Sequence, residues 1–121
     1  MIKLIYCIKR KADISEKEFH RYWLEDHGPK VRSVAAVIGA KRYVQSHIIL
    51  ADVNAGFRAS RGLAAGYDGI TEIWFEDEAS MAQGLGTTDG ITAAKMLLED
   101  ESHFIDFEDS SIFMTQEHEI F

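Results

Sequence analysis

This chain of 121 residues has little cysteine, little proline, no long apolar run and no excess of positive charge. Its single cysteine, Cys7, cannot form an internal disulfide, which favours a reducing compartment. No run approaches the roughly 20 apolar residues of a membrane helix, and Lys3 already interrupts the N-terminus where a signal peptide would be apolar. We therefore expect a cytoplasmic protein with no membrane partner.

The charge balance narrows the classes of ligand. Twenty acidic residues against thirteen basic ones give a net charge of -7, whereas a nucleic-acid-binding protein presents a basic surface to phosphates. The one basic triplet is Lys9-Arg10-Lys11, so no nucleic acid partner is expected. His, Cys, Asp and Glu do not cluster at metal-ligand spacing, and the glycines of residues 84–90 depart from the dinucleotide-binding pattern. The sequence thus predicts neither a metal nor a nucleotide cofactor.

The most informative stretch that is present covers residues 19–29. Phe19, Trp23 and His27 recur at helical spacing, with Tyr22 beside them, so three rings and an imidazole share an inward-facing stripe. Gly28-Pro29 predicts a helix end directly after His27, because proline disfavours helical dihedrals in the residue before it. An imidazole among aromatic rings at a helix end suits an acid or base, and equally suits a buried, hydrogen-bonded core histidine.

Hydrophobic periodicity predicts the order β-α-β-β-α-β within one domain that spans residues 1–121. The predicted strands cover residues 1–9, 40–50, 70–76 and 110–121. A capping box of Ser15 and Glu18 starts the first helical region, which continues to Gly39, and the second region lies between residues 77 and 104. This order is typical of a ferredoxin-like α+β fold, a four-stranded antiparallel sheet with helices on one face and strands one and three at its centre.

The first strand also predicts an oligomer. It is apolar on both parities, so both faces of the sheet must be covered, but the helices cover only one. A second copy of the chain is the simplest cover for the other face, and two such sheets would close into a barrel. We expect a homodimer, and a long, glycine-rich loop over residues 51–67 of the kind that forms lids or binding loops.

Three segments together resemble the EthD family, which is named for a protein of ethyl tert-butyl ether degradation. They cover residues 19–29, 42–47 and 68–75, and the resemblance spans nearly the whole chain. The resemblance implies the fold of the dimeric α+β barrel group, which includes muconolactone isomerases, polyketide cyclases and dehydratases, and cofactor-independent monooxygenases. It leaves the chemistry open, because fold does not fix function.

The resemblance further implies that the first helix and the second strand face one cavity, where His27 meets Tyr43, Gln45 and His47. His27 would be the catalytic acid or base, while Tyr43 or His47 donates to an oxygen that becomes an enolate. The alternative is that Tyr43, Gln45 and His47 are the polar, half-exposed face of an edge strand.

We also expect side chains around that cavity to bind the substrate. Aromatic walls would hold a flat or cyclic ligand and exclude water. Glu72 is ambiguous, because a carboxylate in a central strand needs a partner: it pairs with a basic side chain of strand two, or it serves as a base. The candidate substrate-binding residues are Tyr22, Trp23, Gln45, Glu72 and Trp74.

The leading hypothesis is a small catabolic enzyme that acts on a cyclic or aromatic intermediate by acid/base chemistry without an obligatory metal or nucleotide. One alternative is a cofactor-independent oxidoreductase or monooxygenase that uses the same pocket to bind an oxidisable phenol and O2. Another is a non-catalytic ligand-binding or accessory protein. Oxygen consumption separates the first two, and the third is favoured if the polar residues are exposed and no pocket exists.

Overall fold

The structure, a computed structural model, describes residues 1–121 and confirms the α+β prediction. No helix in it is both long and apolar enough to cross a membrane. The strands are β1 (Ile2–Ile8), β2 (Ala40–His47), β3 (Gly69–Phe75) and β4 (Ser111–Thr115). The helices are α1 (Glu16–Tyr22), α2 (Gly28–Ile38), α3 (Ala51–Arg61), α4 (Glu78–Gly86) and α5 (Thr88–Glu101), with a π-helical turn over Trp23–His27 between α1 and α2.

The sheet is antiparallel throughout, with the order β2-β3-β1-β4, so β1 and β3 are central as predicted. Ile8 lies in the core beneath the helices, and alternate residues of β1 share its face. The strand register places Gly69 and His47 on the same helix-facing side, because Ile8 lies opposite Gly69 and Gly69 lies opposite His47. The remaining residues of each strand point to the opposite face, which no helix covers in one chain.

The core forms where the aromatic stripe meets the sheet. Phe19 and Trp23 are fully buried, and they pack with Ile8, Phe104 and Ile105. The helix that contains them begins at Ser15, whose side chain accepts the amide hydrogen of residue 18. The inward orientation predicted for the stripe is therefore confirmed, and the core fixes the position of the π-helical turn above β2 and β3.

The predicted helix end after His27 is wrong. Gly28 keeps right-handed helical dihedrals, and its amide donates to the carbonyl of Trp23, five residues back instead of four. Pro29 has no amide hydrogen, and in a regular helix its ring would crowd the carbonyl of Glu25. The widened turn absorbs that conflict, so the chain stays helical up to Gly39, which ends α2 in the left-handed conformation.

The predicted loop over residues 51–67 is also wrong for most of its length, because α3 occupies Ala51–Arg61. Gly62 ends this helix with φ +63°, and the amide of Leu63 returns to the carbonyl of Arg58. No residue of α3 is buried, so contacts with the core do not specify this helix. Alanine-rich local propensity forms it instead.

The last strand is shorter than predicted. β4 pairs only with β1, and the ladder ends where Thr115 meets Lys3, one residue from the start of β1. Residues 116–121 extend beyond the end of that ladder and lie outside the sheet. Strand length here is set by the partner strand, which local sequence does not reveal.

Candidate functional site

The Trp23 ring lies at the centre of the site, between the helices and the sheet. It stacks on the His47 imidazole with 4.3 Å between ring centroids and 29° between planes. It also lies directly against Gly69, where a Cβ atom would collide with the indole. Glycine at the start of β3 therefore permits the close helix-to-strand approach that brings Trp23 to His47.

A chain of hydrogen bonds runs along the helix-facing side of β2. The amide nitrogen of Gln45 donates to the Trp23 carbonyl (2.8 Å) and to the Tyr43 hydroxyl (2.9 Å). The amide oxygen of Gln45 lies 2.8 Å from Nε2 of His47, and Nδ1 of His47 lies 2.8 Å from Nδ1 of His20. The sheet and helix thus connect Tyr43, Gln45, His47 and His20 in sequence.

The chemistry of Gln45 fixes where the protons of this chain lie. Its amide oxygen can only accept, so Nε2 of His47 carries the hydrogen. Burial and the nearby charge of His20 lower the pKa of His47, which favours its neutral form. Nδ1 of neutral His47 is then an acceptor, and His20 is the donor in the contact between the two rings. The Tyr43 hydroxyl donates no hydrogen bond within the protein.

His27 belongs to a second polar cluster, which α5 completes. Its Nδ1 donates to Oδ2 of Asp100 at 2.7 Å. The other oxygen of Asp100 accepts from the Tyr22 hydroxyl at 2.5 Å and from Nζ of Lys30 at 2.7 Å. Burial would raise the pKa of Asp100, but the hydrogen bonds from Lys30, Tyr22 and His27 lower it to about 2. Asp100 is therefore a buried carboxylate that fixes the orientation of the His27 ring.

His27 itself is a neutral imidazole with one nitrogen unused. Burial lowers its pKa, and the attraction of Asp100 only partly offsets that effect. Nε2 of His27 has no hydrogen-bond partner in the protein. It is not fully buried, however, because the one fully buried side-chain nitrogen or oxygen without a partner is Nε1 of Trp23. His27 is 5% exposed, so Nε2 keeps a narrow contact with solvent. A neutral ring with a free, slightly exposed nitrogen and a carboxylate behind it is a chemically competent base.

Two cavities lie at opposite ends of the hydrogen-bonded chain on β2. A cleft of about 440 Å³ separates α2 from β2, and both Tyr43 and Gln45 line it. A smaller cavity of about 320 Å³ lies beside the end of β2, and His47 lines it together with Asn54 and Tyr67. His27 lines neither cavity, although Gly28, the next residue, lies in the wall of the larger cleft.

The structure does not bring Glu72 and Trp74 to this side of the sheet. They lie opposite Ile5 and Lys3 of β1, on the face that the helices leave open. Nζ of Lys3 lies 2.7 Å from Glu72, so the carboxylate finds its partner in β1 and not in β2. The guanidinium of Arg42 stacks on the Trp74 ring at 4.6 Å.

The other predicted binding residues take different positions. Trp23 is fully buried and forms part of the core, while Tyr22 is bonded to Asp100 beside α5. Of the aromatic residues assigned to the substrate, none lines the larger cleft. Tyr43 and Gln45 are the predicted site residues that do.

Two carboxyl groups of α5 are important and were not predicted. Asp100 lies on the inward stripe with Ala93 and Phe104, and a charged residue on an apolar stripe is the signal that sequence offered. Burial raises the pKa of its neighbour Glu101 to about 7, aided by the charge of Asp100 and opposed by a hydrogen bond with Tyr6. Glu101 is thus a carboxyl group that changes protonation near neutral pH beneath the sheet.

Solved structures of similar fold come from several organisms. An ethyl tert-butyl ether degradation (EthD) family protein from Bacillus halodurans is 19% identical and superposes with a TM-score of 0.65, over 98% of this chain and 99% of that one. A dimeric ferredoxin-like protein of unknown function from Bacteroides fragilis is 9% identical, with a TM-score of 0.59 over 95% and 94% of the two chains. SnoaB, a cofactor-independent oxygenase from Streptomyces nogalater, is 9% identical, with a TM-score of 0.55 over 98% and 93%. These likenesses show the fold.

Sequence comparison identifies the family more directly. No curated protein matches the chain. The EthD domain model, however, matches residues 11–108, which include the aromatic helix, the π-helical turn, β2, β3 and α5. Since that match covers most of the sequence and both polar clusters, the chain belongs to the EthD family.

Proposed function

We propose that this protein is a cytoplasmic enzyme that acts on a small cyclic or aromatic catabolic intermediate by acid/base chemistry, without an obligatory metal or nucleotide. The observation that carries the proposal is Tyr43 in the wall of the cleft, with its hydroxyl at one end of a hydrogen-bonded chain through Gln45 and His47 to His20. Such a hydroxyl can give a proton to a ligand oxygen and take it back from the enol, while the N–H group of Gln45 stabilises the phenolate in between.

Tyr43 is proposed as the acid. Burial raises the pKa of its hydroxyl, so the group is a protonated phenol at neutral pH. Gln45 donates to its oxygen, which leaves the hydroxyl hydrogen for a ligand oxygen in the cleft. His47 lines the other cavity, so it does not touch a ligand in the cleft. Its proposed role is to assist Tyr43 indirectly, because it donates to the amide oxygen of Gln45 and so orients that amide.

His27 is proposed as the base. His27 lines neither cavity, but Gly28, the next residue, lies in the wall of the cleft. For a ligand that extends past Gly28, Nε2 of His27 would take a proton from a carbon next to the ligand carbonyl while Tyr43 gives its proton to the carbonyl oxygen. The electron pair of the broken C–H bond forms the C=C bond of the enol, and the electron pair of the carbonyl π bond takes the proton from Tyr43. In a β,γ-unsaturated ketone the imidazolium of His27 then gives its proton to the γ carbon, and the enol hydroxyl returns its proton to Tyr43, which completes an isomerisation. Asp100 stabilises the imidazolium that forms in between.

The test is hydrogen exchange at carbon in a cyclic ketone. The protein is incubated with 2-tetralone in D2O, and loss of the signals next to the carbonyl is followed by proton NMR. We expect acceleration over buffer, and a loss of roughly 100-fold in Tyr43→Phe. Thr92→Ala is the matched control, because it also removes one hydroxyl, and Thr92 is exposed on α5 and lines neither cavity. Equal rates for Tyr43→Phe and the parent protein would overturn the role of Tyr43.

A second candidate is cofactor-independent oxygenation, which the fold of SnoaB favours. Here a phenol in the cleft would lose its proton to solvent, the Tyr43 hydroxyl would donate a hydrogen bond to the phenolate, and O2 would be the oxidant that accepts its electrons. Oxygen uptake with 1,4-dihydroxynaphthalene that is lost in Tyr43→Phe would establish this reaction in place of isomerisation. Saturable binding of both probes without turnover would indicate a ligand-binding protein.

We also propose a homodimer through the open face of the sheet. Ile70 and Phe113 are 37% and 49% exposed there, next to Ile5 and Cys7 of the central strand. Burying such an apolar sheet face against a second copy is favourable, and the protein from Bacteroides fragilis with this fold is dimeric. Sedimentation equilibrium should give twice the 13.7 kDa mass of one chain.

A further inference from the structure

We infer that the cleft between α2 and β2 binds an anion, a ring compound that carries a carboxylate, through Arg32 and Lys41. This inference rests on the proposed function in one respect: it names the class of ligand that would bind in the same cleft. It concerns binding, so it can be tested without turnover.

The first observation is the sign of the charge in the cleft. Three of its eleven lining residues are basic and none is acidic, in a chain whose net charge is -7. Arg32, Lys41 and Arg42 have no carboxylate within ion-pair distance in the protein. A concave, positively charged cleft on an acidic protein concentrates anions and admits them in preference to neutral or cationic ligands.

The second observation is an irregularity in β2 beside the cleft. Ala40 pairs with Phe75 and Arg42 pairs with Trp74, so Lys41 is an extra residue in the ladder. A bulge of this kind redirects side chains, and it allows neighbouring residues of one strand to reach the same cleft. Both Lys41 and Arg42 line it as a result.

The third observation separates Arg42 from the other two cations. Its guanidinium stacks on the Trp74 ring at 4.6 Å, and Trp74 lies on the open face of the sheet. Arg42 therefore adds positive charge at the edge of the cleft, and Arg32 and Lys41 are the cations left to bind a carboxylate within it.

The rest of the cleft suits the ring of such a ligand. The α2 side contributes apolar surface from Leu24, Pro29, Val31 and Ala35, and Tyr43 lies on the β2 side with the cations. The volume of about 440 Å³ falls within the range of small-molecule sites. A ring would contact the helix while its carboxylate meets the bulge, which leaves ring substituents next to the Tyr43 hydroxyl.

The test compares two probes that differ in charge and hardly in shape, 2-naphthoate and 2-naphthamide. Binding to the full chain is measured by NMR titration at low and at moderate salt. We expect the naphthoate to bind at least 10-fold more tightly than the amide, and to weaken as salt rises. The double variant Arg32→Gln/Lys41→Gln should remove that preference, whereas Lys95→Gln, an exposed cation on α5, should retain it.

The outcomes separate this inference from the proposed chemistry. Equal affinity for the two probes, no binding of naphthoate, or the same loss in Lys95→Gln would overturn it. Charge-dependent binding that persists in Tyr43→Phe supports it even where 2-tetralone exchange is absent, a result that counts against the proposed function alone.

Discussion

At the scale of single residues, the site depends on what holds two histidines neutral and oriented. His47 is oriented by the amide oxygen of Gln45, and His27 is oriented by the carboxylate of Asp100. Asp100 also accepts from Tyr22 and Lys30, so one buried carboxylate organises three side chains from the first helical region.

Asp100→Asn should therefore lower both the free energy of unfolding and the pKa of His27. The amide carries no charge for Lys30 and cannot accept all three hydrogen bonds, so we expect a loss of roughly 1–3 kcal/mol in urea unfolding. The pKa of His27 should fall further, because Asp100 is the group that raises it. An NMR titration of the His27 ring measures the second effect.

The matched control for this change is Glu99→Gln, one residue earlier on the exposed side of α5. It should leave both the unfolding free energy and the His27 titration as they are. A His27 pKa that rises in Asp100→Asn would contradict the role of Asp100 as the group that stabilises the imidazolium form of His27.

Sequence reasoning placed some of these residues for a clear physical reason. Helical spacing puts Phe19, Trp23 and His27 on one stripe, and strand alternation puts Tyr43 and His47 on one face. Alternation does not say which face the helices cover when both parities are apolar, so Glu72 and Trp74 were expected on the wrong face of the sheet. The sequence places Asp100 on the same helical stripe as Ala93 and Phe104, but only the packing shows that this stripe is the buried one.

At the scale of elements, α3 shows what periodicity does not detect. It contacts no core and buries no residue, so its stability is local and its ends depend on capping. Its position between β2 and β3 was expected to be a loop for that reason. The π-helical turn was not predicted for a different reason, because it depends on how the chain accommodates Pro29.

The glycine within α3 and the glycine that ends it should respond in opposite directions to substitution by alanine. Gly62→Ala places a side chain at φ +63° and should raise amide exchange in α3 roughly 5-fold or more, because the left-handed conformation costs about 1 kcal/mol. Gly56→Ala has open space around it and a helical backbone, and should slow exchange in α3 by a similar factor.

Hydrogen exchange followed by mass spectrometry measures both changes. The urea midpoint of the whole chain should hardly move in either variant, since α3 buries nothing. A large shift of that midpoint would mean that α3 is part of the cooperative core.

At the scale of the whole molecule, a titratable carboxyl beneath the sheet ties stability to pH. Glu101 has a pKa of about 7 in the fold against 4.5 in its ordinary range. The folded chain therefore holds its proton more tightly than the unfolded chain. This contribution to stability is complete below about pH 4.5, decreases as pH rises, and is lost above about pH 7.

Glu101→Gln should remove that dependence. The difference in unfolding free energy between Glu101→Gln and the parent protein should grow from pH 4.5 to pH 7 by up to roughly 3 kcal/mol, in favour of the variant. The lowered pKa of His27 acts in the opposite direction, favouring the fold above pH 6.5, but it is common to both proteins and cancels in the difference. A difference that is flat with pH would contradict the raised pKa.

The π-helical turn also bears on how chain length varies among relatives. Between Trp23 and Gly28 the helix holds one residue more than a regular turn needs, and Leu24 and Glu25 within it are exposed. Removing one residue there would restore ordinary helical spacing while Phe19 before it and Val31 after it keep their places against the core. Alignments of EthD proteins should therefore tolerate a one-residue gap at this turn, and relatives that lack a proline at the position of Pro29 are where we expect to find it.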